Sequence, residues 1–319
     1  QMDAEAALGG RRGAIVAIDP NNGHVLALVS QPGYDPNFFS VGISTKDYKA
    51  LQEDPDIPLY NRALRGLYPP GSTIKPIIGL AGLHYATTEP WQRTFCIGHY
   101  SLPGSTHRFR DWKKTGHGHV DLEEAVAQSC DVYFYELALK LGIDNMHDFL
   151  AGFGLGARTG IDVPSEKGGT LPSREWKRER FSRREDQTWY PGETLITGIG
   201  QGYLQTTPLQ LAHATAILAV RGTRYRPMLI AGVRDPVAGE ERMFEPEALP
   251  PVRLIDDGLW QEAIDSMIAV VHGPTGTARR IGEDAPYRIA GKTGPAQVVS
   301  IAQDAEYDED ELEERQKDH

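Results

Sequence analysis

Two apolar runs, Ala14-Ile15-Val16-Ala17-Ile18 and Val25-Leu26-Ala27-Leu28-Val29, flank the polar stretch Asp19-Pro20-Asn21-Asn22-Gly23. Short apolar runs on either side of such turn residues predict a β-hairpin over 13–32. Farther on, Ile77, Ile78, Leu80, Ala81 and Leu83 predict a buried helix reaching about Ala86. Pro76 has no N–H and must fall among the first four helical positions, so this helix starts at about Ser72 or Thr73. Residues 96–119 are rich in Gly, His, Arg and Trp and show no period, which predicts a long loop; loops of that length in compact domains are usually functional. The stretch 121–142 reads as two helical segments that break near Ser129. Thr207 as N-cap, Pro208 at the first position and Gly222 past the end bound another helix, apolar almost all round and therefore expected between layers. Residues 258–273 form a further helix, and 287–301 a strand interrupted by Gly-Lys-Thr-Gly-Pro. There is no internal repeat. A hairpin first, helices in the middle and a strand late predict one sheet assembled from both ends of the chain, with helices packed on it.

Composition narrows the function classes. The chain has 319 residues and a net charge of −11. Nine acidic residues against Arg315 and Lys317 put −7 of that charge in the segment from Asp304 to His319. The rest is near neutral with no basic face, which argues against nucleic acid as a partner. No run of eighteen apolar residues spans a bilayer. The opening "QMDAEAALGGRRG" shows no targeting peptide, so a membrane anchor is expected outside this chain. Two cysteines, Cys96 and Cys130, are too few for a disulfide scaffold.

The chemistry concentrates behind Pro69-Pro70-Gly71. Ser72 stands at the positive end of the predicted helix dipole, with Lys75 one turn along. By itself S-x-x-K reads, by a wide margin, as an N-cap beside a solvated lysine. Ser129-Cys130-Asp131 at the helix break and Lys292-Thr293-Gly294 near the C-terminal end change the balance. A serine hydroxyl is a poor nucleophile and needs a base nearby. A lysine one turn away serves if desolvation and a neighbouring cation depress its pKa, and Lys292 is that cation. Lys292 would also attract a substrate carboxylate, and Ser129 would pass the proton to the leaving amine. The order S-x-x-K, S-x-D, K-T-G is similar to the S-x-x-K, S-D-N and K-T-G of β-lactamases and penicillin-binding proteins, with Asp131 where that trio has Asn.

Longer stretches carry the same resemblance. "RGAIVAIDPNNGHVLALVSQPGYDPN", "LRGLYPPGSTIKP", "FRDWKKTGHGHVDL", "TGIDVPSEKGGTLPSREWK", "GIGQGYLQTTPLQLA" and "APYRIAGKTGPAQV" resemble the transpeptidase domain of class B penicillin-binding proteins, in the penicillin-binding protein 2 branch that serves cell elongation. The resemblance implies an α/β (α+β) fold: a mainly antiparallel sheet flanked by helices, plus an all-helical lobe. It implies a linker remnant over 1–12, after a pedestal domain, then a transpeptidase domain over 13–303 and an acidic tail segment over 304–319. Family domains continue past this region with further strands and a C-terminal helix. The implied enzyme is a serine-type D-Ala-D-Ala transpeptidase on the periplasmic face of the inner membrane. Ser72, Lys75, Ser129 and Lys292 would be catalytic, and Asp131, Thr293 and Gly294 substrate-binding. Peptidoglycan stem peptides, β-lactams and the elongation glycosyltransferase with its regulators would be partners, and catalysis would need no cofactor. A serine β-lactamase is the rival enzyme and would require a deacylating glutamate, with Glu123, Glu185 or Glu193 as candidates. A weakened β-lactam-binding or docking domain is the rival outside catalysis.

Two features qualify the resemblance. Pro295 follows Lys-Thr-Gly where the family usually has Thr, and a proline offers no N–H to an oxyanion hole. Losing one such donor costs about 2.7–4 kcal/mol, so slow acylation is expected unless the Ala296 N–H substitutes. Cys96, Asp111, His117 and Cys130 offer two thiolates, an imidazole and a carboxylate, a donor set for tetrahedral zinc, which relatives hold near this motif. His119 could replace His117, and a Cys96–Cys130 disulfide is the rival in an oxidising compartment. "GIGQG" lacks the preceding strand of a dinucleotide loop and is read as a packing or turn element.

Overall fold

The computed structural model describes residues 1–40 and 42–294; Pro295 and the segment 304–319 lie outside the described residues. In chain order the main elements are α1 (Met2–Leu8), β1 (Gly13–Ile18), β2 (Val25–Gln31), α2 (Lys75–His84), β3 (Thr94–Cys96), β4 (His99–Tyr100), β5 (Phe109–Arg110) and β6 (Gly118–Val120). They continue with α3 (Leu122–Ala127), α4 (Asp131–Gly152), α5 (Arg174–Arg180), α6 (Pro191–Gly198), α7 (Pro208–Ala219) and α8 (Leu259–His272). The chain divides into two compact units, one built from Gln1–Tyr68, Phe153–Gly169 and Thr206–Val252, the other from Pro69–Gly152, Thr170–Gln205 and the chain from Arg253 onward.

In the first unit β1 and β2 form the expected antiparallel hairpin, with Ile15 opposite Val29 and Ala17 opposite Ala27. The Asp19 carboxylate closes the turn by accepting the Asn21 N–H at 2.9 Å, an Asx turn. Residues 1–12, expected as a linker, contain α1, and the Gln1 side chain bonds both backbone groups of Leu28. Leu64, Ile161 and Leu209 form a core against which Val16, Ile18, Val25 and Leu28 pack. Helix α7 has the predicted ends: Thr207 and Gln210 make a reciprocal capping box, Pro208 opens the helix, and the Gly222 N–H returns to Ile217 O at 2.8 Å. Only one face of α7 is buried, through Leu209, His213, Ala214, Ile217 and Leu218. Leu211, Ala212 and Ala216 on the other face line an apolar cleft of about 450 Å³ with Val16 and Ile18. An apolar sequence all round therefore does not mean burial all round here.

The second unit is mainly helical and carries the chemistry. Every residue of α2 from Lys75 to Leu83 is buried, and Ile78 and Leu80 are fully so. Full burial of one such side chain is worth about 1.5–3 kcal/mol. Helix α3 ends at Ala127 and α4 begins at Asp131, and between them Ser129 has a left-handed φ of 58°; the predicted break is there. Residues 96–119 differ from the expected plain loop. They form two antiparallel strand pairs, β3 with β6 and β4 with β5. Strands of two or three residues are too short to show alternation, so no period reveals them. Of the expected strand over 287–301, the described part has no ladder. Single hydrogen bonds hold it instead, from Ile289 N to His272 Nε2 at 3.0 Å and from Gly291 N to Met267 O at 3.1 Å.

Candidate active site

A 3₁₀ turn over Gly71–Ile74 leads directly into α2 and buries Ser72 at its start. Thr73 Oγ1 donates to Pro70 O at 2.6 Å, and the Lys75 N–H returns to Ser72 O. Behind the turn, the Gly71 N–H donates to Gly200 O at 2.9 Å. Gly200 has a φ of 76°, and a Cβ there would lie 2.2 Å from Gly71 O, so only glycine lets the two backbones approach. This is the packing role expected of "GIGQG".

Lys75 is fully buried. Its Nζ donates to Ser129 O at 2.8 Å, to Asp131 Oδ1 at 2.7 Å and to Ser129 Oγ at 3.3 Å. Lys292 Nζ reaches the same hydroxyl at 3.0 Å and also bonds Thr293 O at 2.8 Å. A Cβ on Gly294 would stand 2.8 Å from Thr73 N and 2.7 Å from Thr73 Cγ2, so the Lys-Thr-Gly backbone lies against the turn that carries Ser72. Three stretches far apart in sequence thus meet around one hydroxyl. The left-handed backbone at Ser129 turns its carbonyl and its hydroxyl toward the same ammonium, at a conformational cost of about 1–2 kcal/mol.

Electrostatics sort the two lysines. Burial, and then the charge of Lys75, push the Lys292 ammonium down to about 7, against the attraction of Asp131. Asp131, expected to meet substrate, is the counter-ion of Lys75, and its other oxygen accepts the Trp112 N–H at 3.2 Å. Thr293 Oγ1 lies 2.7 Å from Thr277 Oγ1, a partner that no motif announced. The three candidate deacylating glutamates are elsewhere engaged. Glu193 pairs with Lys177. Glu185 is exposed beside Arg183. Glu123 lies among Asp121, Asp265 and Glu262, and burial followed by those charges raises its pKa.

A second cluster sits directly behind Ser129. Donor atoms of Cys96, Asp111, His117 and Cys130 all lie within 4.8 Å of one another. Cys96 Sγ is 3.5 Å from Asp111 Oδ2 and 3.6 Å from His117 Nδ1, and His117 Nδ1 is 3.4 Å from Asp111 Oδ1. Tetrahedral zinc with bonds of about 2.0–2.3 Å has edges of about 3.3–3.8 Å, so the donor set fits such an ion. Both cysteines are free, which departs from the disulfide alternative. A hydrogen bond from Cys130 draws the Cys96 thiol down to about 6 in spite of burial, and the same bond with burial pushes Cys130 up. Burial would raise Asp111, but hydrogen bonds from His117 and the Lys113 and Val132 amides outweigh it and hold the carboxyl well below its usual range. Burial would lower His117, and its bonds to Asp111 and Cys96 outweigh that and raise it. His119 belongs to the exposed face, stacked on Phe95 at 4.7 Å, and is not part of the set.

The cluster is tied to the Ser129 turn. Asp111 Oδ2 accepts the N–H of Asp131 at 2.8 Å and of Val132 at 3.2 Å, capping α4. Trp112 Nε1 donates to Gln128 O at 3.1 Å. Neither tie could be read in advance, because a cap from another segment leaves no mark in the local sequence.

A family model described as the penicillin binding protein transpeptidase domain matches residues 13–312. The chain belongs to that family. As a transpeptidase-family domain it is 46% identical to the peptidoglycan D,D-transpeptidase MrdA of Acinetobacter baumannii, covering 100% of this chain and 46% of that protein. It is 42% identical to the MrdA of Escherichia coli K12, covering 100% and 49%. Among solved structures it resembles Pseudomonas aeruginosa PBP2 in complex with WCK 5153, at 50% identity and a TM-score of 0.85 over 93% of this chain and 63% of that one. It also resembles Helicobacter pylori PBP2 in its complex with MreC, at 34% identity and a TM-score of 0.83 over 93% and 53%. The fold is thus the penicillin-binding transpeptidase fold. The chain spans about half the length of the curated relatives it matches.

Proposed function

We propose that the chain is the catalytic domain of a peptidoglycan D,D-transpeptidase that cross-links stem peptides during cell elongation and is acylated by β-lactams. The observation that carries this reading is the meeting of Lys75 and Lys292 on the Ser129 hydroxyl, with Gly294 against the turn of Ser72. Ser72 Oγ attacks the carbonyl of a D-Ala-D-Ala bond. Lys75 takes the seryl proton as general base, and Asp131 at 2.7 Å stabilises the ammonium that forms. Ser129 relays that proton to the departing D-Ala nitrogen. The amine of a neighbouring stem then attacks the acyl-enzyme, and its proton returns along the same path as the Ser72 hydroxyl is restored. Lys292, with Thr293, holds the terminal carboxylate of the donor peptide, or that of a β-lactam.

Cys96, Asp111, His117 and Cys130 would hold a structural zinc ion. Its contribution would be to fix the 111–131 contacts and so the Ser129 turn; no step passes through it. The relatives bear on the setting. MrdA proteins are named D,D-transpeptidases, and one PBP2 was solved with MreC, so the proposal includes elongation-machinery partners and a periplasmic site of action. Among the described residues no helix is long and apolar enough to cross a membrane.

The test is intact-mass measurement after exposure to a β-lactam. A single stoichiometric adduct mapping to Ser72, absent in Ser72→Ala, is expected. Absence of any adduct on the native chain would favour a non-catalytic domain, and rapid multiple turnover of nitrocefin would favour a β-lactamase.

A further inference from the structure

Lys177 on α5 is only 2% exposed. Its Nζ donates to Thr188 O at 2.7 Å and to the Glu193 carboxylate, and the rings of Tyr190, Tyr203 and Trp189 lie 5.2, 5.8 and 5.9 Å from it. Burying an ion pair seldom stabilises a protein more than apolar packing of the same volume would. What this pair does is geometric. The other Glu193 oxygen accepts the Tyr190 N–H at 2.8 Å, fixing the start of α6. Tyr203, beyond the far end of α6, stacks on Trp176 of α5 at 5.1 Å. Both ends of the 190–203 segment are therefore held at one pocket around α5. Between them lies Gly200, whose carbonyl receives the Gly71 N–H at 2.9 Å.

We infer that Lys177 is a positioning residue for Ser72, bracing the Gly200 loop against which the nucleophile turn rests. This rests on the proposed role of Ser72. Lys177 makes no hydrogen bond to Ser72, Lys75, Ser129 or Lys292, so it acts through the 188–203 segment. A nucleophile displaced by about 1 Å loses on the order of a hundredfold in rate. A brace of this kind affects the acylation step and leaves the initial binding of ligand unchanged.

The experiment compares the native chain with Lys177→Met, which keeps the aliphatic stem and removes the charge, and with Lys177→Arg, which keeps the cation. Two quantities are read: the first-order acylation constant with the pre-acylation Kd of a reporter β-lactam, and hydrogen exchange at the Gly71 amide. Lys177→Met is expected to slow acylation by roughly ten- to a hundredfold with Kd nearly unchanged, and to speed exchange at Gly71. Lys177→Arg is expected to recover part of both. If Lys177→Met does not fold, Glu193→Gln takes its place with the same expectation. A folded variant in which either the acylation constant or the Gly71 exchange stays at the native value overturns the inference. A native chain that forms no adduct would defeat the proposed function instead, and the exchange measurement would still decide whether the brace exists.

Discussion

The hydroxyl cluster around Ser129 and the four-donor cluster behind it share the 129–131 turn, yet they are built on opposite rules. In the first, every long side chain is satisfied by protein. Lys75 spends its N–H groups on Ser129 and Asp131, and Lys292 on Ser129 and Thr293. In the second, two thiols, an imidazole and a carboxylate crowd within 4.8 Å, with His117 Nδ1 facing both Cys96 and Asp111. The first is held together by protein alone and, under the proposed function, would react by moving protons among its members. The second gathers electron-pair donors whose spacing suits a cation. Chemistry and scaffold are thus separated by a single peptide bond, between Ser129 and Cys130.

Removing Ser72 has the largest expected effect on that comparison. Ser72→Ala should abolish covalent β-lactam labelling by mass spectrometry while the donor cluster and the melting temperature stay as they were. The next is Pro295→Thr. If position 295 supplies an oxyanion-hole donor, as the family resemblance implies, giving it an N–H is expected to speed acylation by about a hundred- to a thousandfold, read by stopped-flow with a fluorescent penicillin. Equal rates would mean that another donor already serves. Third, removal of metal with a strong chelator, or Cys130→Ser, is expected to lower the melting temperature by several degrees and to slow acylation by about tenfold. The second effect reports the link through Asp111, and elemental analysis of protein purified without chelator gives the metal content. If acylation is unchanged in metal-free protein, the two clusters are independent.

A smaller effect concerns Lys292, whose pKa is lowered to about 7. As the cation that receives a carboxylate, it should make the second-order acylation constant of a carboxylate-bearing β-lactam fall as pH rises through about 7; a rise would assign Lys292 to the base role. For stability the sign is opposite. The unfolded lysine keeps its proton to about 10.4, so the penalty for burying the ammonium is in full force below pH 7. It is relieved as pH climbs from about 7 toward 10. The smallest effect on chemistry is expected from Ile78→Ala, which should cost about 2–5 kcal/mol of stability by denaturant unfolding and leave the acylation constant of the folded protein alone.

Much of this was legible in the sequence. The hairpin turn, the Thr207–Pro208 helix start and the Ser129 break announce themselves, because caps, prolines and turn residues act over four or five positions. Ser72, Lys75, Ser129 and Lys292 could be grouped by motif order, and the structure brings Lys75, Ser129 and Lys292 into hydrogen-bond contact. The misses share a cause. That Asp131 pairs with Lys75, that burial lowers the Lys292 pKa, and that Asp111 caps α4 are all facts of long-range packing. The short strands of 96–119 left no alternation to detect. The open face of α7 escaped because periodicity reports which residues are apolar, not which of them find a neighbour.

The positive φ of Ser129 has an evolutionary corollary. Threonine is the only other aliphatic alcohol among the standard side chains, but its branched Cβ fits this backbone poorly. Glycine and asparagine would relax the chain there and surrender the hydroxyl. No standard side chain other than serine therefore keeps both this backbone and the hydroxyl at position 129.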